Sequence, residues 1–127
     1  MANKQINRDI HERIYNFVLR VLKLLATLPK NPINLIIIDQ CGRSVTSVGA
    51  NDQEAEACES RKDFTAKYGI VKKEAKETNY WIRLTGDINP DLKSRITGLQ
   101  QEGKEILLIV SSIIKKSKEI KVDKKDL

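Results

Sequence analysis

Carboxylates crowd into one short stretch of the sequence, VGANDQEAEACESRKDF at residues 48–64. Four of its acids, Asp52, Glu54, Glu56 and Glu59, precede Ser60. Carboxylates at this density can act as general acids and bases or bind a metal ion. The acids end at Ser60, however, and Asp63 follows three residues later, a pattern typical of the start of a helix. The stretch can therefore be a chemical site or the junction between two helices.

The partner residues that catalysis or metal binding needs are missing from the sequence. The only histidine is His11, and Arg8 stands where a Glu-x-x-His metal motif would place its glutamate. His11, Cys41 and Cys58 lack the spacing of zinc ligands, and there is no glycine-rich phosphate loop. A serine–histidine nucleophile pair could use only His11, close to the N-terminus. We therefore predict no enzyme activity, no catalytic residues, no metal site and no cofactor.

Length and composition indicate one soluble domain over residues 1–127. The chain has 40% hydrophobic residues, six glycines, three prolines and a net charge of +6, which is typical of a helical protein with a basic surface. No apolar run approaches the roughly 20 residues that a membrane-spanning helix requires. The N-terminus is charged where a signal peptide needs an apolar segment. We expect a cytoplasmic protein with no membrane partner, whose two cysteines are free thiols.

Apolar residues recur at spacings of three and four along most of the chain, which predicts four amphipathic helices. We place these helices at about residues 7–28, 33–58, 61–85 and 90–120, with a charged tail at 121–127. Ser60 is the predicted N-cap of the third helix and Asn89 that of the fourth. Since short connections join antiparallel neighbours, the predicted fold is all-α, an up-down-up-down antiparallel four-helix bundle. The acids at residues 48–64 then lie at a helix end.

Lysine and arginine concentrate on the third and fourth predicted helices. As candidate nucleic-acid-binding residues we select Lys67, Lys72, Lys76, Arg83, Lys115, Lys116, Lys118 and Lys121. The alternative interpretation is a solvated helix surface, with cations that suit the helix dipole at the C-terminal end. Tyr80 and Trp81 lie among these cations and could stack on bases. Trp81 could instead pack against the fourth helix or an adjacent subunit.

Small and polar side chains mark the second predicted helix. Together with Trp81, the candidate interface or polar-core residues are Ser44, Ser47, Asn51 and Glu54. They can line a pocket or channel, or they can form a buried hydrogen-bond network that fixes the register of the helices. Glu54 can also face a neighbouring subunit. The aliphatic run at 33–38 is a further candidate subunit contact.

Residues 44–84, SVTSVGANDQEAEACESRKDFTAKYGIVKKEAKETNYWIRL, resemble the signature of the bacterial 23S rRNA intervening-sequence proteins, the S23 family. The matching features include Gln40, Arg43, Ser44, the SVGAN run at 47–51, KDF at 62–64, KEA at 73–75 and Tyr80-Trp81. The resemblance extends over residues 10–118. It implies a four-helix bundle that assembles as a homopentamer around a central channel. It implies no biochemical activity, although a distantly related group, the accessory variability determinants of diversity-generating retroelements, binds nucleic acid and a reverse transcriptase.

The residues and the resemblance together predict a non-enzymatic homo-oligomer, pentameric by resemblance, that binds nucleic acid through Lys/Arg surfaces. Structured RNA is the expected ligand, while the choice between RNA and DNA stays open. Five copies would carry five times the charge of +6, about +30, which favours binding to a polyanion. The alternative is a protein–protein assembly module with no nucleic-acid binding, and a third hypothesis is a small-ligand pocket at the ring axis.

Overall fold

Four long α-helices make up nearly all of the described chain. The computed structural model describes the backbone of residues 2–126 and the side chains of residues 10–119. The helices are α1 (Ala2–Ala26), α2 (Pro32–Glu56), α3 (Arg61–Ile88) and α4 (Lys93–Asp126), with a 3₁₀ turn at Pro90–Leu92. The described backbone contains no strand, and the predicted all-α four-helix bundle is confirmed. Helix α4 continues through the segment at 121–126 in which we expected a charged tail.

The helix ends follow from residues that satisfy free backbone groups. Pro32 opens α2, and the Asn31 side chain accepts a hydrogen bond from the Asn34 backbone N–H at 2.9 Å. The Ser60 hydroxyl accepts the Asp63 N–H at 3.1 Å, so the predicted N-cap of α3 is confirmed. Asn89 makes no such bond at the start of the 3₁₀ turn. Its side chain instead exchanges two 3.0 Å hydrogen bonds with the Asn34 side chain, which joins the end of α3 to the start of α2.

Contacts between residues far apart in sequence show that consecutive helices are antiparallel. His11, early in α1, bonds to Asp52, late in α2. Lys67, early in α3, bonds to Glu54, late in α2. Thr65 and Ser117 join the start of α3 to the end of α4. Each helix packs mainly against two others. Both α1 and α3 pack against α2 and α4, so α1 and α3 lie on one diagonal of the bundle.

The core is built from the apolar faces that the sequence periodicity predicts. It includes Ile14, Phe17 and Val21 of α1, Ile37, Val45 and Val48 of α2, Tyr68, Val71 and Ile82 of α3, and Ile96, Ile106 and Val110 of α4. Cys41 is fully buried among them, and burial raises the pKa of its thiol to about 12. Both cysteines are free, and Cys58 is only half-buried. No described helix combines the length and apolar character that crossing a bilayer requires.

Glycines at two positions of the helices provide a matched test of this packing. A Cβ at Gly103 would collide with the Asn79 amide and lie 3.2 Å from the Phe17 ring, whereas a Cβ at Gly69 would have no atom within 4 Å. We expect Gly103→Ala to lower the free energy of unfolding by about 1–3 kcal/mol because it overpacks the α3–α4–α1 contact. Gly69→Ala should raise it by about 0.5–1 kcal/mol through helix propensity. Urea denaturation of both variants measures this, and equal effects would contradict the close approach at Gly103.

Candidate nucleic-acid interface

A basic groove runs between α3 and α4. It has a volume of about 660 Å³, and four cations, Lys76, Arg83, Lys93 and Lys104, line it against one carboxylate, Asp87. The helices place these cations together because Lys76 and Arg83 are seven residues, about two turns, apart on α3. Lys93 and Lys104 are about three turns apart on α4. Two antiparallel helices thus present a line of positive charge along each wall.

Most of the positive charge in this groove is not neutralised within the chain. Among the described side chains of α3 and α4, the cations that form ion pairs are Lys67, with Glu54 at 3.0 Å, and Lys93, with Asp87 at 3.2 Å. Lys76, Arg83 and Lys104 therefore have no carboxylate partner in the described part of the chain. Unpaired cations that converge on one groove attract phosphate, since binding releases the counterions condensed on a nucleic acid.

The structure places the predicted phosphate-binding residues in different positions relative to this groove. Lys76 and Arg83 line it. Helical spacing sets Lys72 on the same side of α3 as Lys76, and Lys115 and Lys118 on the same side of α4 as Lys104. Lys116 lies about 120° from Lys104 around the axis of α4. Lys67 points to α2, where it pairs with Glu54. The side chain of Lys121 lies outside the described residues.

Two cations of the groove, Lys93 and Lys104, were not among the predicted residues. Lys93, Lys104 and Lys115 follow one another at intervals of 11 residues, about three helical turns, and this spacing could have indicated them.

Tyr80 and Trp81 have separate environments. Tyr80 lines the groove and is 58% exposed. Trp81 is half-buried against the core, and its indole N–H donates a 3.1 Å hydrogen bond to Glu77 one turn earlier. The two rings make an edge-to-face contact, with centroids 5.0 Å apart and planes at 75°. The contact with the partly buried Trp81 therefore restrains the orientation of the Tyr80 ring.

Asn79 of α3 and Gly103 of α4 approach each other closely. Asn79 lines the groove, and the absence of a side chain at Gly103 makes room for its amide. Among the described side chains, Asn79 Oδ1 is a buried polar atom without a hydrogen-bond partner. Leaving such an oxygen unpaired costs about 1–3 kcal/mol. The Asn79 amide oxygen thus has hydrogen-bonding capacity that no described residue of the chain uses.

The polar residues of α2 divide between a buried pair and an exposed edge. The Ser44 and Thr78 hydroxyls lie 2.8 Å apart in the core, where they link α2 to α3. The Asn51 amide donates to the Ser47 hydroxyl at 3.0 Å within α2, and both residues are half-buried. Glu54 is exposed and bonded to Lys67. Ser44 therefore belongs to a hydrogen-bond network between helices, whereas Ser47 and Glu54 lie towards the surface.

A buried polar cluster escaped the sequence analysis. The Asp52 carboxylate is 1% exposed and accepts hydrogen bonds from His11 Nδ1 at 2.8 Å and from the Tyr68 hydroxyl at 2.7 Å. Three helices thus meet at one carboxylate. Asp52 follows Val48 by four residues and precedes Ala55 by three, so a strict helical count does put it on the core face. The sequence-based prediction that the acids of residues 48–64 lie at a helix end overlooked this position.

Electrostatics explain how this cluster is stabilised. The hydrogen bond that His11 donates to Asp52 raises the pKa of His11, while burial opposes this rise. Glu56, 3.9 Å from His11 Nε2, also raises the pKa. Burial, together with Asp52, raises the pKa of the Tyr68 hydroxyl well above its usual range. In the described part of the chain, no serine, threonine or cysteine is hydrogen-bonded to His11. The geometry is that of a structural ion pair joining α1, α2 and α3.

The described residues contain no cluster of side chains that could bind a metal ion. No group of three or more histidine, cysteine, aspartate or glutamate side chains among the described residues is arranged to hold an ion. His11 and the acids Asp52 and Glu56 are engaged with one another and with Tyr68. The described residues thus point to the basic groove as the candidate site.

Comparisons with known proteins give a family and a fold. The family model described as 23S rRNA-intervening sequence protein matches residues 7–112. A solved structure with a TM-score of 0.78 is 32% identical and covers 87% of this chain and 98% of its own. It is a protein of unknown function from the S23 ribosomal protein family of Bacteroides thetaiotaomicron VPI-5482, determined at 1.70 Å. A search of curated proteins finds no match.

The raised pKa of His11 predicts a pH-dependent contribution to stability. This contribution should be complete below about pH 6.5, the usual pKa of histidine, and should decline as the pH rises through the higher folded value. We expect His11→Asn to lower the free energy of unfolding by about 1–3 kcal/mol at pH 6 and by less at pH 9. Urea denaturation of wild type and variant at both pH values measures the difference.

Tyr68→Phe is the matched control for this prediction. The Tyr68 hydroxyl keeps its proton throughout this range, so its loss should destabilise the bundle by a similar amount at pH 6 and pH 9. An effect of His11→Asn that is the same at both pH values would show that the charge on His11 does not contribute to stability.

Proposed function

The chain belongs to the 23S rRNA-intervening sequence protein family, and from that premise we propose a non-enzymatic homo-oligomer that binds structured RNA through the basic groove. The observation that carries the proposal is the convergence of Lys76, Arg83 and Lys104, without carboxylate partners in the described chain, on the groove between α3 and α4. The solved relative has unknown function, so the proposal is drawn from this chain's own residues. The proposed binding recognises the phosphate backbone and does not depend on the RNA sequence.

Charge and shape support phosphate as the group bound. A nucleic acid presents a regular line of phosphates, and the two groove walls present cations at intervals of two to three helical turns. Arginine and lysine contact phosphate readily because both are charged hydrogen-bond donors. Lys72, Lys115 and Lys118 extend the same side of the helices beyond the groove. The basic surface is therefore longer than the groove itself.

An apolar edge along α2 and α3 supports the oligomeric part of the proposal. The exposed isoleucines Ile33, Ile36, Ile70 and Ile88 are between 41% and 56% exposed. On α3, Ile70, Trp81 and Ile88 are spaced by 11 and 7 residues, which places them on one side of the helix. The Glu54–Lys67 pair and the Asn34–Asn89 pair show that the edges of α2 and α3 adjoin. We assign this apolar edge as the contact between copies of the chain, five in number as the family resemblance implies.

Assembly would strengthen weak contacts to RNA. Five copies bring five basic grooves onto one particle with about +30 formal charges. Once one groove has bound, the others meet the same RNA at a high effective concentration. Individual grooves with few phosphate contacts can then give a tight complex.

Charge reversal in the groove tests the RNA-binding proposal. We expect Lys76→Glu/Arg83→Glu to weaken binding to a labelled RNA hairpin by at least about tenfold and to flatten the log–log dependence of affinity on salt, because phosphate contacts are lost. Fluorescence anisotropy at several salt concentrations measures both quantities, with duplex DNA alongside to compare the two nucleic acids. Arg20→Glu/Lys23→Glu on α1 changes the net charge equally and is the control. It should weaken binding much less.

Two outcomes would count against the proposal. Equal losses in the two double variants would mean that net charge, and not the groove, drives binding. No binding of RNA or DNA by the wild type, even at low salt, would reject nucleic acid as the ligand and favour the protein–protein assembly module.

Charge insertion on the apolar edge tests the oligomer. We expect Ile36→Lys/Ile70→Lys to convert the assembly to monomers at micromolar concentration, because each lysine would have to be buried unpaired in the contact. Both side chains are exposed in the isolated chain, so helicity should be unchanged. Sedimentation velocity gives the mass. Leu108→Lys, at a site 71% exposed on α4, is the control and should leave the oligomer intact. A double variant with wild-type mass would place the contact elsewhere.

A further inference from the structure

An exposed aromatic ring stands in the middle of the basic groove. Tyr80 is 58% exposed and lines the groove, whereas Tyr68, the other tyrosine of α3, is buried in the core. Lys76 precedes it by four residues and Arg83 follows it by three, so one cation lies about one helical turn to either side. An aromatic ring between two cations that have no carboxylate partner in the described chain has the composition of a site that stacks a base and binds the flanking phosphates.

The ring is positioned before any ligand binds. Trp81 contacts Tyr80 with the ring planes at 75°, and its own N–H is bonded to Glu77. An edge-to-face contact can cover only one face of the tyrosine, so at least one face stays free of the indole. A platform that is already ordered loses little side-chain entropy on binding.

Amide and hydroxyl groups surround the platform. Asn79, Thr97 and Gln100 line the groove, and each side chain can donate to or accept from the edge of a base. Asn79 Oδ1 has no hydrogen-bond partner among the side chains and backbone that the structure describes. Rotation of this amide into the groove would let it bond to a base amino group and would relieve the unpaired oxygen.

The groove size and the platform together favour one kind of nucleotide. A volume of about 660 Å³ lies within the range of pockets that enclose small ligands. Bases in a helix are stacked on each other and cannot enter such a groove, whereas loop and bulge bases can be splayed onto an aromatic side chain. The unpaired positions of a structured RNA match both features.

We propose that the α3–α4 groove binds an unpaired nucleotide of the RNA, with its base stacked on Tyr80 and its flanking phosphates on Lys76 and Arg83. This inference rests on the proposed RNA binding and adds the part of the RNA that is recognised. It predicts a preference for RNA that contains an unpaired base, and it makes Tyr80 the residue responsible for that preference.

The test compares two RNAs that share one stem, a fully paired duplex and the same duplex with a single unpaired adenosine. Wild type should bind the bulged RNA about tenfold more tightly, the effect of roughly one stacked base. Tyr80→Leu should remove the preference, because its affinity for the bulged RNA falls to that for the duplex, while Tyr80→Phe should retain the preference because phenylalanine keeps the ring. Tyr15→Leu, at a tyrosine 62% exposed on α1, is the matched control and should behave as wild type.

The outcomes separate this inference from the proposal beneath it. A wild type that binds both RNAs equally, with a steep salt dependence, overturns the inference and leaves RNA binding standing. A preference that survives in Tyr80→Leu does the same. If wild type binds neither RNA at low salt, RNA binding itself is rejected and the inference falls with it.

Discussion

The bundle depends on one buried carboxylate that three helices share. Asp52 of α2 is removed from solvent, and an isolated charge in that position would cost several kilocalories per mole. His11 of α1 and Tyr68 of α3 offset this cost by hydrogen bonds of 2.8 and 2.7 Å. The fourth helix is joined at the surface, where Arg13 of α1 bonds to Glu102 at 2.7 and 3.0 Å and to Glu105 at 3.0 Å. Because these bonds have short ranges and fixed directions, they select one register among the many that a purely apolar contact would tolerate.

That register determines where the groove cations lie. Helices α2 and α3 are joined by hydrogen bonds at three levels along their length: the Asn34–Asn89 amides, the Ser44–Thr78 hydroxyls and the Asp52–Tyr68 pair. Helices α3 and α4 are joined near one end by the hydrogen bond of 2.6 Å between the Thr65 and Ser117 hydroxyls. Near the middle, Asn79 packs closely against Gly103. A slip of one turn, about 5.4 Å, would move Lys104 away from Lys76 and would bring a side chain opposite Asn79. The polar contacts of the core therefore position the charges at the surface.

Sequence periodicity was sufficient for the fold but not for the site. Spacings of three and four, with caps such as Ser60, predicted four helices because each helix must bury one face and satisfy its ends. Asn89 shows the limit, since its side chain bonds to Asn34, 55 residues away, instead of capping the next helix as predicted. Asp52 and His11 were missed for the same reason: the value of a buried charge depends on partners from other helices, and a linear sequence does not show them. Lys93 and Lys104 joined the candidate site only when α3 and α4 were placed side by side.

The proposed RNA groove and the proposed subunit contact lie on adjoining sides of α3, and two consecutive residues mark the boundary. Tyr80 lines the groove, while Trp81 shares its side of α3 with Ile70 and Ile88 on the apolar edge. Their rings touch, with centroids 5.0 Å apart, so a shift of Trp81 on subunit contact would also move the Tyr80 ring. Assembly and RNA binding would then be coupled, and linkage requires the coupling to work in both directions. An RNA that stacks on Tyr80 should stabilise the oligomer by the same factor by which the oligomer strengthens RNA binding at each groove, over and above the gain from multivalency.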